Sequence, residues 1–256
     1  MPKANLLPQN LYLFLILSFL SCNRGEETPI LNIATAANMQ FAMEELVTAF
    51  SKKTNIECQT IISSSGKLTA QIKTGAPYDV FVSADMKYPY ELYQSKKTIG
   101  KPSIYAYGQL ILWTTQKNKQ LKIEHLTDDF YEKIALANPK TAPYGMAAME
   151  VMEYFKIKTA VKKKLVFGES IAQTNQFILS GAVNVGFTAQ SVVKDKSRKN
   201  LGNWITIPKD AYEPIEQGVV ILNNRIEQAG NAQQFYDFLF TEEAQSILKE
   251  YGYITN

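Results

Sequence analysis

The sequence predicts an α/β fold. Three observations carry that reading. Short apolar segments alternate with amphipathic helical segments along the body of the chain, which argues mostly parallel sheets. Two of the joints share one design, an apolar strand, a small polar cap and then a helix: Leu31 to Asn38 followed by a helix from Met39, and Ile61 to Gly66 followed by a helix from Lys67. The chain has 256 residues, and the part beyond its N-terminal segment suits one two-lobed protein or two modest domains.

Each element follows from its pattern. The first helix places Met39, Ala42, Met43, Leu46, Val47 and Phe50 on one face, at helical spacing. It closes near Lys52-Lys53-Thr54-Asn55, with cations at the negative end of the helix. Ile56–Ile62 reads as a strand, the second helix stops at Gly75-Ala76-Pro77, and Asp79–Ser83 is a short buried strand before a helix around Tyr90–Gln94. Gly108–Thr115 and Lys133–Pro139 are strands, the latter leading through Thr141-Ala142-Pro143-Tyr144-Gly145 into a helix with Met146, Met149, Val151, Met152 and Phe155. Leu165–Phe167 feeds Gly168-Glu169-Ser170-Ile171 and a helix over Ala172–Leu179. Val183–Thr188, Trp204–Ile207 and Glu216–Leu222 are strands, with a basic loop over Lys194–Lys199, and helices over Ala232–Leu239 and Glu242–Tyr251 close the chain.

The N-terminus points to a compartment. Lys3 precedes an apolar run from Leu11 to Leu20. That run is shorter than the roughly 20 residues a bilayer span needs, and it suits the core of a signal peptide. Phe19-Leu20-Ser21-Cys22 resembles a bacterial lipobox in which Cys22 is lipidated, although Phe19 stands where an aliphatic residue is usual. Residues 1–21 are therefore expected to be a lipoprotein signal peptide and residues 22–29 a polar tether, leaving the domain held at a membrane surface by a lipid anchor. There is no second apolar span, no internal repeat and no low-complexity tract.

Composition excludes several classes. The formal net charge is +3, too small to call for nucleic acid or an anionic membrane. With Cys22 acylated, Cys58 has no partner, and its strand context predicts a buried free thiol. The single histidine, His125, lies in a polar stretch and reads as an ordinary surface residue. No nucleophile elbow is present. Gly66-Lys67 fails as a phosphate loop, because Ile61 and Leu68 stand where glycine and a hydroxyl residue are required. No cysteine–histidine cluster has zinc spacing. Asp128-Asp129 and Glu242-Glu243 fit helix starts, where negative charge is favourable. Asp79 and Asp85, before and after a buried strand, read as structural. An enzyme is not expected, nor is a cofactor or a bare metal cation.

What remains is an anion site. A helix start at the carboxyl end of a strand presents free N–H groups and the positive end of the helix dipole. A tetrahedral dianion has only acceptors, so numerous fixed neutral donors can hold it. Asn38 is expected as the N-cap of the first helix, with Ser63, Ser64 and Ser65 and the amides of Ser65 and Gly66 at the second. Tyr144-Gly145 and Ser170-Ile171 begin two more helices in the other half of the chain. Four such starts make a two-sided clamp. The residues alone do not choose among dianions.

Taken together, Thr35-Ala36-Ala37-Asn38, Ser63-Ser64-Ser65-Gly66, Ala70-Gln71-Ile72, the run Gly75–Asp85, Asn138-Pro139, Ala142-Pro143-Tyr144-Gly145, Gly186-Phe187 and Tyr212-Glu213-Pro214-Ile215 resemble the periplasmic molybdate-binding proteins of ABC importers. The resemblance runs from Leu31 to the C-terminus, and Gly75–Asp85 is its most specific part. It implies a two-lobed periplasmic-binding-protein fold of type II. Each lobe is a mixed, mostly parallel sheet flanked by helices, with two crossover strands between: residues 30–110 plus 213–256 form lobe 1 and residues 111–212 lobe 2. It implies that Asn38, Ser65, Tyr144 and Ile171 contact the oxyanion, Ile171 through its backbone N–H. Phe187-Thr188-Ala189 lacks the tyrosine that some members place on the anion, as in the branch with Asn in the first loop, so that role is unfilled or passes to Tyr144. The implied cargo is molybdate, with tungstate. The implied partners are a membrane permease and its cytoplasmic ATPase, and the implied state is a monomer. A binding protein for sulfate or another tetrahedral oxyanion, and an enzyme or sensor domain on the same fold, are the alternatives.

Overall fold

The computed structural model describes Met1 and residues 30–116, 120–198 and 200–255. The expected signal peptide, tether and lipidated Cys22 lie outside those residues. In chain order the elements are β1 (Leu31–Ala36), a 3-10 turn (Ala37–Met39), α1 (Gln40–Thr54), β2 (Cys58–Ser63), α2 (Ser65–Lys73), β3 (Val80–Ser83), α3 (Lys87–Gln94), β4 (Thr98–Gly108), β5 (Leu110–Thr114), β6 (Ile134–Ala137), α4 (Pro143–Tyr154), α5 (Lys158–Val161), β7 (Leu165–Gly168), α6 (Ile171–Leu179), β8 (Val185–Ala189), α7 (Gln190–Lys194), β9 (Asn203–Thr206), β10 (Ile215–Leu222), α8 (Ala229–Phe238) and α9 (Glu242–Glu250).

The strands form two five-stranded sheets with the same internal logic, β2-β1-β3-β10-β4 and β7-β6-β8-β5-β9. In each, the first three strands are parallel to one another and the last two pair antiparallel. The sheets are thus mixed, and their parallel parts carry the candidate loops. The chain passes between sheets at the junction of β4 and β5 and again between β9 and β10.

Period-two alternation builds the first sheet's two cores. Val80, Val82, Val219 and Ile221 face α1, α8 and α9, packing with Leu46, Phe50, Phe235 and Leu248. Phe81, Val220 and Leu222 face the other way, onto Leu68 and Ile72 of α2 and Leu92 of α3. The second sheet's core holds the fully buried Trp113, Leu136 and Phe187, and it continues across the cleft to Ala36, Ala37 and Ala84.

Several expectations change. No sequence pattern marks β4, an edge strand containing Gly100 and Pro102, and an edge is where a sheet tolerates proline. Asp128-Asp129 starts no helix: Asp128 follows a 3-10 turn over Glu124–Thr127 and its N–H donates to His125 O. Glu242-Glu243 does occupy a first helical turn, behind Thr241, whose Oγ accepts from Ala244 N–H at 3.3 Å. Cys58 is half-buried rather than buried, because β2 is also an edge strand; burial still pushes its thiol up to about 11.

The two central aspartates are structural, as expected. Asp79 is enclosed and accepts from Asn32 N–H at 2.6 Å and from Arg225 Nη1 at 3.0 Å, tying β1, β3 and the segment after β10 together. Asp85 accepts from Tyr88 N–H at 3.3 Å and Ser83 Oγ at 3.2 Å, at the start of α3.

Candidate functional site

Register sets the site. Ala36 at the end of β1 is level with Ser63 at the end of β2, so the loops that follow begin side by side. In the other sheet Ala137 is level with Gly168, which aligns the loops before α4 and α6 in the same way. The carboxyl ends of the parallel strands are where α/β sheets place ligands. All four loops meet in one small cavity lined by Ala36, Ala37, Asn38, Ser64, Ser65, Ala84, Ala142, Pro143, Tyr144 and Ile171. The cavity is small, about 10 Å³, and its walls stand close together. Asn38, Ser65, Tyr144 and Ile171 are therefore brought together, at 4% exposure or less. No charged side chain is among the described lining residues.

The candidate donors include backbone amides. The first amides of each helix have no partner within the helix. In α2 these include Ser65 N–H, and Ser65 Oγ already accepts from Ala84 N–H at 3.0 Å, so its own proton is free to be donated. In α4, Pro143 brings no N–H, which leaves Tyr144 N–H first in line. α4 can reach this position because residue 145 is glycine: a Cβ there would lie 2.0 Å from Ala137 O. In α6, Ser170 caps through its own Oγ, accepting from Gln173 N–H at 3.4 Å, and Ile171 N–H leads the helix.

Asn38 differs from its expected role. It sits inside the 3-10 turn, whose N-cap is Ala36, and its side chain turns away from any capping bond. Asn38 Nδ2 donates to Gln217 Oε1 at 2.7 Å and to Tyr253 Oη at 2.9 Å. Its carbonyl accepts from Ser191 Oγ at 2.7 Å and Tyr253 Oη at 3.0 Å. Gln217 Nε2 in turn donates to Ala84 O and Ile215 O. The side-chain amide is thus committed to a buried network that joins the first loop to β10, the C-terminal segment and α7. What Asn38 has left for the cavity is its backbone N–H. No local sequence signal marks Gln217, Tyr253 or Ser191, whose partners are far away in the chain.

Tyr144 lies between the cavity and a chain crossing. Its hydroxyl lies against Gly108 at the first chain crossing, where an added Cβ would be 2.1 Å from the oxygen. Burial, reinforced by Tyr253, Tyr212 and Tyr105, keeps that hydroxyl protonated far above the ordinary phenol range. Tyr144 Oη is buried without a hydrogen-bond partner, and Tyr144 N–H is the other donor the residue brings to the cavity. Phe187 and Thr188 are buried, with Thr188 Oγ1 donating to Asn175 Oδ1 at 2.6 Å.

Gly66 also departs from expectation. Its N–H donates across the cleft to Thr141 O at 2.9 Å. Tyr88 Oη donates to Lys140 O at 3.2 Å, and Lys67 pairs with Glu169 at the rim. These bonds join α2 and α3 to the loops of the other sheet and hold the two sides of the cleft together.

Similarity agrees with this architecture. A family described as bacterial extracellular solute-binding protein matches residues 31–254. The chain belongs to that family. The molybdate-binding protein ModA of Azotobacter vinelandii is 36% identical over 225 residues, covering 86% of this chain and 88% of that protein. A solved Azotobacter vinelandii periplasmic molybdate-binding protein superposes with a TM-score of 0.84 at 32% identity, over 88% of this chain and 99% of its own. A putative ABC transporter substrate-binding lipoprotein of Bacillus subtilis is 27% identical over 246 residues, 94% of each chain.

Within this solute-binding protein the remaining chemistry is sparse. Among the described residues no group of three histidine, cysteine, aspartate or glutamate side chains could hold a metal ion, and no helix is long and apolar enough to cross a membrane. His125 does not line the cavity. Beside the cavity, Asp85, Glu150 and Glu213 share a crevice of about 140 Å³. Burial raises the Asp85 carboxyl to about 6, against the hydrogen bonds from Tyr88 and Ser83 and the attraction of Lys87.

Two expected outcomes follow from this geometry. A methyl at residue 66 would lie 2.7 Å from Tyr88 Oη and 3.0 Å from Thr141 Cα; the tyrosine can swing away but the backbone cannot. Gly66→Ala should therefore disfavour close approach of the two sides of the cleft, so that saturating molybdate lowers the radius of gyration in small-angle scattering less in the variant than in wild type. An equal drop in the two proteins would refute this role of Gly66. For Asp85 the folded carboxyl binds its proton more readily than the unfolded one, so its stabilising contribution is complete below about pH 4 and is lost as pH rises through about 6. Asp85→Asn should flatten the pH dependence of unfolding free energy across that window by at most about 3 kcal/mol. Denaturant midpoints at several pH values read this directly; an unchanged slope would contradict it.

Proposed function

We propose that this protein captures molybdate, and tungstate with it, outside the cytoplasmic membrane and delivers it to the permease and ATPase of an ABC importer. The observation that carries the reading is a small cavity lined by neutral groups, into which four helix starts from two sheets converge. The likeness to molybdate-binding relatives supplies the identity of the anion. In this reading Asn38, Tyr144 and Ile171 donate through backbone N–H groups, and Ser65 donates through both its N–H and its hydroxyl.

Residues 30–110 plus 213–256 and residues 111–212 act as the two lobes. They close on the anion by a hinge at the two chain crossings. Binding favours the closed form, and the permease reads that form. The protein performs no chemistry, works as a monomer and is held to the membrane through a lipid on Cys22. The apolar run before Cys22 and the lipoprotein description of the Bacillus relative support that anchor.

Molybdate and tungstate are alike in size and charge, and both are larger than sulfate. A rigid cavity turns that difference into selectivity, which is a difference of affinities. Calorimetric titration with molybdate, tungstate, sulfate and phosphate tests the reading. The expected result is a dissociation constant below about 1 µM, or more than about 8 kcal/mol of binding free energy, for the first two, with far weaker binding of the others. Sulfate bound as tightly as molybdate would overturn the choice of anion.

A further inference from the structure

We propose that Ser64 is a further oxyanion ligand, donating its hydroxyl to the anion alongside Ser65. This rests on the oxyanion reading of the cavity and extends it to a residue not among the four expected contacts. Ser64 is the N-cap of α2, in extended conformation, and N-cap serines ordinarily accept a hydrogen bond from the second or third amide of their helix. Ser170 and Thr241 do so in this protein. Ser64 does not: its side chain makes no capping bond. Its Oγ is buried without any hydrogen-bond partner, in a residue only 4% exposed that lines the cavity.

A buried hydroxyl with nothing to bond is costly, and the capping bond that would relieve it is forgone. The adjacent amide of Gly66, an obvious alternative partner, is spent on Thr141 across the cleft. An acceptor in the cavity would satisfy this O–H, and an oxyanion supplies one. The tally of donors leaves room for it. A tetrahedral oxyanion offers four oxygens with several lone pairs, and the four amides plus Ser65 Oγ do not fill them. Ser65 and Ser64 then differ in kind. Ser65 Oγ has its acceptor side occupied by Ala84 N–H and is fixed as a donor. Ser64 Oγ is free on both sides and takes its orientation from the ligand.

The test pairs two measurements on wild type and Ser64→Ala: calorimetric titration with sodium molybdate, and thermal unfolding without ligand. Because Ser64 Oγ holds no bond in this structure, the variant should keep the unliganded melting temperature or raise it slightly. Its dissociation constant for molybdate should rise about ten- to a hundredfold, the scale of a lost hydrogen bond to a charged group. An unchanged dissociation constant would overturn the assignment and leave the oxyanion reading standing. A clear drop in unliganded melting temperature would also overturn it, by showing that Ser64 has a structural partner. Wild type that binds no molybdate would overturn both the assignment and the reading beneath it.

Discussion

A doubly charged anion enclosed without a counter-cation must be met by fixed dipoles, and the rest of this fold is arranged around that requirement. Side chains that carry full charge would hold the anion more simply, but they bring their own solvation and their own flexibility. Backbone N–H groups at helix starts are neutral, immobile and already lack partners, so aiming them at a ligand costs no reorganisation. The cost is geometric. The helices must begin at matching heights, which the level ends of β1 with β2 and of β6 with β7 provide. The strands must also face one another across a cleft, which the two chain crossings provide.

The buried network around Asn38 keeps that geometry. One side-chain amide links the first loop to Gln217 on β10 and to Tyr253 in the C-terminal segment, while Ser191 of α7 reaches the same residue's carbonyl. Gln217 is fully buried, and both its amide hydrogens and its oxygen are bonded. Fully satisfied polar networks of this kind rigidify a core, whereas removing one member strands the others at about 1–3 kcal/mol each. Asn38→Ala is thus a perturbation of that network as well as of the site, and a loss of binding in it would report on both. Ser65 and Ser64 are the cleaner probes of the cavity itself.

Much of the site was legible in the chain because a strand, a small polar cap and a helix are written in contiguous residues. Ser65, Tyr144 and Ile171 fall where those local patterns put them. What was not legible depends on partners far apart in sequence. Whether Gly66 N–H meets an anion or Thr141, and whether the Tyr144 hydroxyl meets the cavity or Gly108, is decided by how two sheets dock. The same holds for edges. Nothing local in Cys58 reports that β2 has a neighbour on one side alone, and Gly100 and Pro102 hide a strand that survives because it is an edge.

A crystal grown with molybdate and measured at the molybdenum absorption edge addresses the clamp most directly. The anomalous signal should form one peak in the cavity between the two sheets. That peak should be surrounded by the N–H groups of Asn38, Ser65, Tyr144 and Ile171 and by serine hydroxyls, with no lysine or arginine in contact. A peak outside that cavity, or one resting on a cationic side chain, would contradict the neutral clamp.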